Sequence, residues 1–72
     1  MQFEPHAPTP NPPTPDYIRA LVSHAGISLN EAARRAGVTR QTFSRWCLGV
    51  DHPNYKQAPW GGIELLRSML VK

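Results

Sequence analysis

Ile18, Leu21, Val22 and Ala25 recur at i, i+3, i+4 and i+7, the spacing that lines one face of an α-helix with apolar side chains. The flanks agree: Thr14 is a good N-cap, Pro15 suits the first helical position, Asp16 complements the positive helix start, and Gly26 supplies a left-handed stop. A second stripe follows at once in Leu29, Ala32, Ala33 and Ala36. It is opened by the capping box Ser28-Leu-Asn-Glu31, with Ile27 available as a staple onto Ala32, and closed by Gly37. Val38 as staple and Thr39 as N-cap then start a third helix, which buries Phe43, Trp46 and Cys47 and is expected to run to Gly49. Pro53, Asn54 and Pro59 predict a loop over 50–59. Ile63, Leu65, Leu66, Met69 and Leu70 predict a last amphipathic helix over about 60–71, weakened in its first turn by Gly61 and Gly62. No strand alternation, internal repeat or heptad run is present, so the predicted fold is all-α.

The first fourteen residues break this pattern. Pro5, Pro8, Pro10, Pro12 and Pro13 remove backbone donors and fix φ, and little in this stretch is large enough to bury apart from Phe3, so 1–14 is expected to be a proline-rich flexible tail. PTPNPP has the proline spacing of an SH3-type ligand but no flanking arginine. The folded unit is expected over 15–72. A chain of 72 residues has room for one small domain, whose stability should be about 4–10 kcal/mol. Its single cysteine, Cys47, excludes a disulfide framework. The start MQFEPHAPTP lacks the basic and apolar regions of a signal peptide, and no window approaches a membrane span, so a soluble cytoplasmic protein is expected.

Two short helices joined by a glycine-containing turn, the second with polar and basic residues on one face, form the helix-turn-helix pattern. Ala33 is small where the next helix crosses, Gly37 suits a positive φ in the turn, and Val38, Phe43 and Trp46 fill the wedge between the helices. With Phe43, Trp46 and Cys47 inward, the outward face of the third helix carries Arg40, Gln41, Ser44, Arg45 and Leu48. Arginine pairs bidentately with guanine and glutamine with adenine in the major groove, which makes Arg40, Gln41, Ser44 and Arg45 the candidate base readers. Arg40 and Gln41, at the end that enters the groove, are the main ones; Ser44, like Thr39, better suits a phosphate or a thymine methyl edge, and Arg45 could serve either purpose. Thr39, Arg34, Arg35, Arg19 and Lys56 are the candidate phosphate contacts.

Charge supports this reading. From Ser28 to Arg45 there are four arginines against the single acid Glu31, a local +3 that equals the net charge of the chain. Arg34 and Arg35 also complement the C-terminal end of their helix. His24, Cys47 and His52 lack the paired spacing of zinc ligands, and no nucleophile, base and orienter can be assembled, so neither a metal nor an enzyme is expected. No cofactor, small-molecule ligand or membrane partner is expected either.

The run PDYIRALVSHAGISLNEAARRAGVTRQTFSRW, continued by YKQAP at Tyr55–Pro59 and a short C-terminal amphipathic helix, resembles the small anti-CRISPR-associated (Aca-type) regulators of phages and mobile elements. The similarity covers about Pro15 to Leu70. It is carried by AGIS at Ala25–Ser28, the alanine-rich second helix, and AP before the last helix. The resemblance implies a homodimeric repressor that binds inverted repeats in the promoter of an anti-CRISPR operon. Its recognition helix would correspond to Thr39–Leu48 and its dimer contact to the region from about Trp60. Relatives of this type carry basic residues at the start of the second helix, where this chain has Leu29, Asn30 and Glu31.

A dimer is also expected on physical grounds, because one short helix reads too few base pairs to find a site in a genome, and two helices on half-sites about 34 Å apart double the readout. Ile63, Leu66, Met69 and Leu70 are the candidate interface, in an apolar set wider than a small core needs; the competing reading is that this helix only closes the monomer core. Two other functions fit the chain: a general Cro-like phage or plasmid regulator, or a protein-interaction module that inhibits a host factor and docks through the proline-rich segment.

Overall fold

In the computed structural model, which describes Glu4 and residues 6–71, the chain forms four helices: α1 (Pro15–Ala25), α2 (Leu29–Ala36), α3 (Arg40–Trp46) and α4 (Trp60–Leu70). No strand is present among the described residues. Residues 1–3 and 5 of the expected tail, and the last residue of the expected folded unit, lie outside the described set.

Local capping chemistry starts the first three helices. The hydroxyls of Thr14, Ser28 and Thr39 accept from the backbone N–H groups of Tyr17, Glu31 and Thr42, each satisfying one of the donors that a helix start leaves unpaired. Only half of the expected capping box forms, because the Glu31 carboxylate turns forward to Arg34 and Arg35 instead of back to Ser28. Gly37 ends α2 at φ 78°, with its own N–H on the Arg34 carbonyl and the Val38 N–H on the Ala33 carbonyl at 3.0 Å. That Schellman arrangement turns the chain sharply into α3.

α3 is shorter than expected. It stops at Trp46 rather than Gly49, because the Cys47 and Leu48 N–H groups turn back onto the Ser44 and Arg45 carbonyls in a tight final turn. Leu48, expected on the outward face of the third helix, therefore lies beyond its end.

α2 packs against α3 and α4, and α1 packs against α4. The core between them consists of Ile18, Leu21, Val22, Ala32, Ala33, Phe43, Trp46, Ala58, Ile63 and Leu66. Phe43 and Trp46 meet with ring centroids 5.5 Å apart and planes tilted by 50°, a geometry that adds about 0.5–1.5 kcal/mol beyond area burial. Ala58 brings the loop before α4 into this core, which the spacing of apolar residues did not indicate.

Two expectations are corrected. Ile63 and Leu66 are 0% exposed within one chain, so they have no surface left for a partner; their side chains close the monomer core. The outward side of α4 carries Leu65, at 60% exposure, while Met69 and Leu70 are half-buried. The end of the proline-rich segment is not a free tail either. Thr9 is 5% exposed and Pro13 is fully buried. The Thr9 hydroxyl donates to Glu64 Oε2 at 2.9 Å and accepts from Arg67 Nε at 3.1 Å, and the Trp60 indole N–H donates to the Thr9 carbonyl at 2.9 Å. Prolines make this affordable: a chain already stiff when unfolded loses less entropy when held against a helix.

Candidate nucleic-acid interface

The α2–α3 corner presents α3 to solvent along one side. Thr39, Arg40, Gln41 and Arg45 are exposed and Ser44 is half-buried, while Phe43 and Trp46 anchor the opposite side in the core. Ala33, fully packed beneath the corner, has the small side chain that close approach of the two helices needs. Seven residues at about 1.5 Å rise span roughly 10 Å, the length of about three base-pair steps.

Both ends of α3 are held. At its start, Thr39 caps the Thr42 N–H at 3.2 Å. At its end, the Lys56 N–H donates to the Arg45 carbonyl at 3.3 Å, and Arg19 Nη1 donates to the Cys47 carbonyl at 2.7 Å. Arg19 also pairs with Asp16 on its own helix. Arg19, expected among the phosphate contacts, is thus engaged in tying α1 to the end of α3. Burial pushes the Cys47 thiol up, which keeps it neutral.

The arginines divide into two groups. Arg34 and Arg35 both hydrogen-bond to Glu31, at 2.5 and 2.8 Å, and these bonds, that of Arg35 first, hold the Glu31 carboxyl below its usual range. Arg19 pairs with Asp16 and Arg67 with Glu64. Arg40 and Arg45 have no carboxylate partner among the described residues, and Gln41 beside them makes no side-chain hydrogen bond there. The positive surface counted over Ser28–Arg45 therefore resolves into two ion-paired arginines on α2 and two unpaired ones on α3. Arg34 and Arg35 still carry one net positive charge with Glu31, so a weaker phosphate contact from α2 is compatible with their pairing.

Lys56 is exposed beside the end of α3, on the rim of an open depression of about 450 Å³ lined by Thr42, Trp46, Lys56, Gln57, Ala58 and Pro59. Of the polar residues here only Lys56 was expected at the interface. Thr42 and Gln57 come together only through the fold of the loop, which no periodicity encodes. Among the described residues no group of three or more His, Cys, Asp or Glu side chains could hold a metal ion, and no helix is long and apolar enough to cross a membrane. Comparison with family models, with curated proteins and with solved structures finds no match to this chain.

Proposed function

We propose that α2 and α3 form a helix-turn-helix unit and that the protein is a sequence-specific double-stranded DNA-binding regulator of transcription. The observation that carries the reading is the division of the arginines. Among the described residues, Arg19, Arg34, Arg35 and Arg67 each pair with an acid, and the two arginines without a carboxylate partner there stand on the exposed face of α3. An arginine left without a carboxylate keeps its five donors for the acceptor edge of guanine or for phosphate. Arg40, Gln41, Ser44 and Arg45 read bases in the major groove, and Thr39, Lys56, Arg34 and Arg35 contact the flanking phosphates.

A helix that covers about three base pairs needs a second copy to specify a site, so the protein acts as a homodimer on an inverted repeat. Leu65, on the outward side of α4, supplies the centre of the two-fold contact, and the exposed edges of half-buried Met69 and Leu70 border it. The resemblance to Aca-type regulators extends the proposal to repression of an anti-CRISPR operon through its own promoter.

Selection of bound sequences from a pool of random duplexes tests the reading. The expected result is one palindromic consensus for the wild-type chain, with Arg40→Ala losing preference at one position per half-site at a cost of about 1–3 kcal/mol. Enrichment of no sequence would refute specific recognition, and equal losses on the consensus and on random duplex would remove Arg40 as a base reader.

A further inference from the structure

We propose that the depression between α3 and the loop before α4 seats one sugar–phosphate unit of a DNA strand, immediately beside the bases that α3 reads. The inference rests on the DNA-binding reading above and assigns Thr42 and Gln57, together with Lys56, to a defined site. Four observations converge on it.

The first is placement. On α3, Thr42 lies one turn from both Arg45 and Trp46, so it stands on the flank where the exposed face gives way to the core. A helix lying in a major groove about 12 Å wide has a phosphate strand along each flank. The second is fixation. The bond from the Lys56 N–H to the Arg45 carbonyl pins the loop to the end of α3, so the lysine side chain starts beside the reading face instead of wandering with the loop.

The third is donor chemistry. The Thr42 hydroxyl accepts from the Thr39 hydroxyl at 3.0 Å, which leaves its own proton to be donated outward. Lys56 adds an ammonium and the exposed Gln57 an amide N–H₂, and no carboxylate lines the depression. The fourth is the floor. Exposed Pro59, backed by the edges of buried Trp46 and Ala58, presents carbon surface that suits the apolar side of a deoxyribose. A polyanion with an apolar ring between its charges matches this cation, these donors and this floor together.

The test measures binding of the full chain to a random-sequence 20-base-pair duplex as a function of salt, with Lys56→Gln and Thr42→Val as variants. Lys56→Gln should weaken binding about five-fold and lower the slope of log affinity against log salt by about 0.9, the release of one phosphate contact. Thr42→Val moves no charge, so it should weaken binding by a similar factor with the slope unchanged. Because both side chains act on one phosphate, the double variant should lose less than the product of the two single losses. Unchanged affinity in Lys56→Gln, whose side chain is exposed and whose fold is not at risk, overturns the proposal while Arg45→Ala still weakens binding and sustains the DNA reading. Strictly multiplicative losses overturn the shared site. Absence of salt-dependent binding by the wild-type chain removes both the site and the function.

Discussion

Leu65 and Leu66 are neighbours in the chain with opposite fates, and exchanging each of them separates the monomer core from the proposed dimer contact. Leu66 is 0% exposed, so Leu66→Ala removes a fully buried isopropyl group and leaves a cavity in the core that includes Ile18 and Ile63; such changes cost about 2–5 kcal/mol. Against a total of about 4–10 kcal/mol for a domain of this length, that loss is a large fraction. At roughly 4–8 °C per kcal/mol, the melting temperature should fall by at least about 8 °C. Leu65 is 60% exposed, so less than half of its transfer free energy is at stake in one chain, below about 1 kcal/mol. Leu65→Glu should therefore leave the thermal melt of dilute protein nearly unchanged. It should abolish self-association, because two carboxylates would meet across a two-fold axis. Circular dichroism melts and sedimentation velocity across a concentration series read the two effects independently. A Leu66→Ala chain as stable as wild type would refute the assigned core. A Leu65→Glu chain that still dimerises would refute the α4 contact.

Gly37 sits at φ 78° with open space around the position of a Cβ, so Gly37→Ala meets no clash and pays only the left-handed backbone cost of about 1–2 kcal/mol, readable in a denaturant melt; no loss would mean that the turn is free to rearrange. Hydrogen bonds from Arg67, and after it from Thr9, hold the Glu64 carboxyl below its ordinary value of 4.5, so its contribution to stability is present above about pH 4.5 and is lost as pH falls further through the lowered value. Glu64→Gln should then melt at a temperature less sensitive to pH between 7 and 3 than wild type, and an unchanged pH dependence would show that the Thr9–Glu64–Arg67 cluster is not formed in solution.

The helix starts were legible because each is written within four residues. Thr14, Ser28 and Thr39 cap the helices that their positions predict, and Gly26 and Gly37 adopt the left-handed conformation that ends them. The end of α3 was not legible, since Gly49 offers a stop three residues after the chain has already turned. What ends the helix there is tertiary: Trp46 is held in the core, Lys56 reaches the Arg45 carbonyl, and Arg19 reaches Cys47. The packing of Thr9 on α4 joins residues 51 to 58 apart in the chain, so neither composition nor period could announce it. For the same reason the wide apolar stripe of the last helix could not be divided into core and surface. Leu65 and Leu66 satisfy the helical pattern equally well, and only the position of α1 and α2 decides between them.

The candidate interface follows the opposite logic, and its distinguishing feature was already present in the spacing of charges. Among the described residues, the pairs of Asp16 with Arg19, Glu31 with Arg34 and Arg35, and Glu64 with Arg67 each join residues three or four apart. Applied to Arg40, the same rule finds Ala36, Gly37, Phe43 and Ser44; applied to Arg45, it finds Gln41, Thr42, Leu48 and Gly49. Neither arginine has an acid within a helical turn, so neither can form the local pair the others form, and among the described residues no acid from elsewhere in the fold reaches them. The net +3 over Ser28–Arg45 does not distinguish the two kinds of arginine, since Glu31 neutralises charge on α2 alone. Because the unpaired donors are set by local sequence and the direction they face by burial of Phe43 and Trp46, a change at Gln41 or Ser44 to Glu would pair Arg45 or Arg40 within α3. If α3 reads bases as proposed, either change should abolish sequence-selective duplex binding while leaving the thermal melt unchanged, and retained selectivity would refute the role of these arginines.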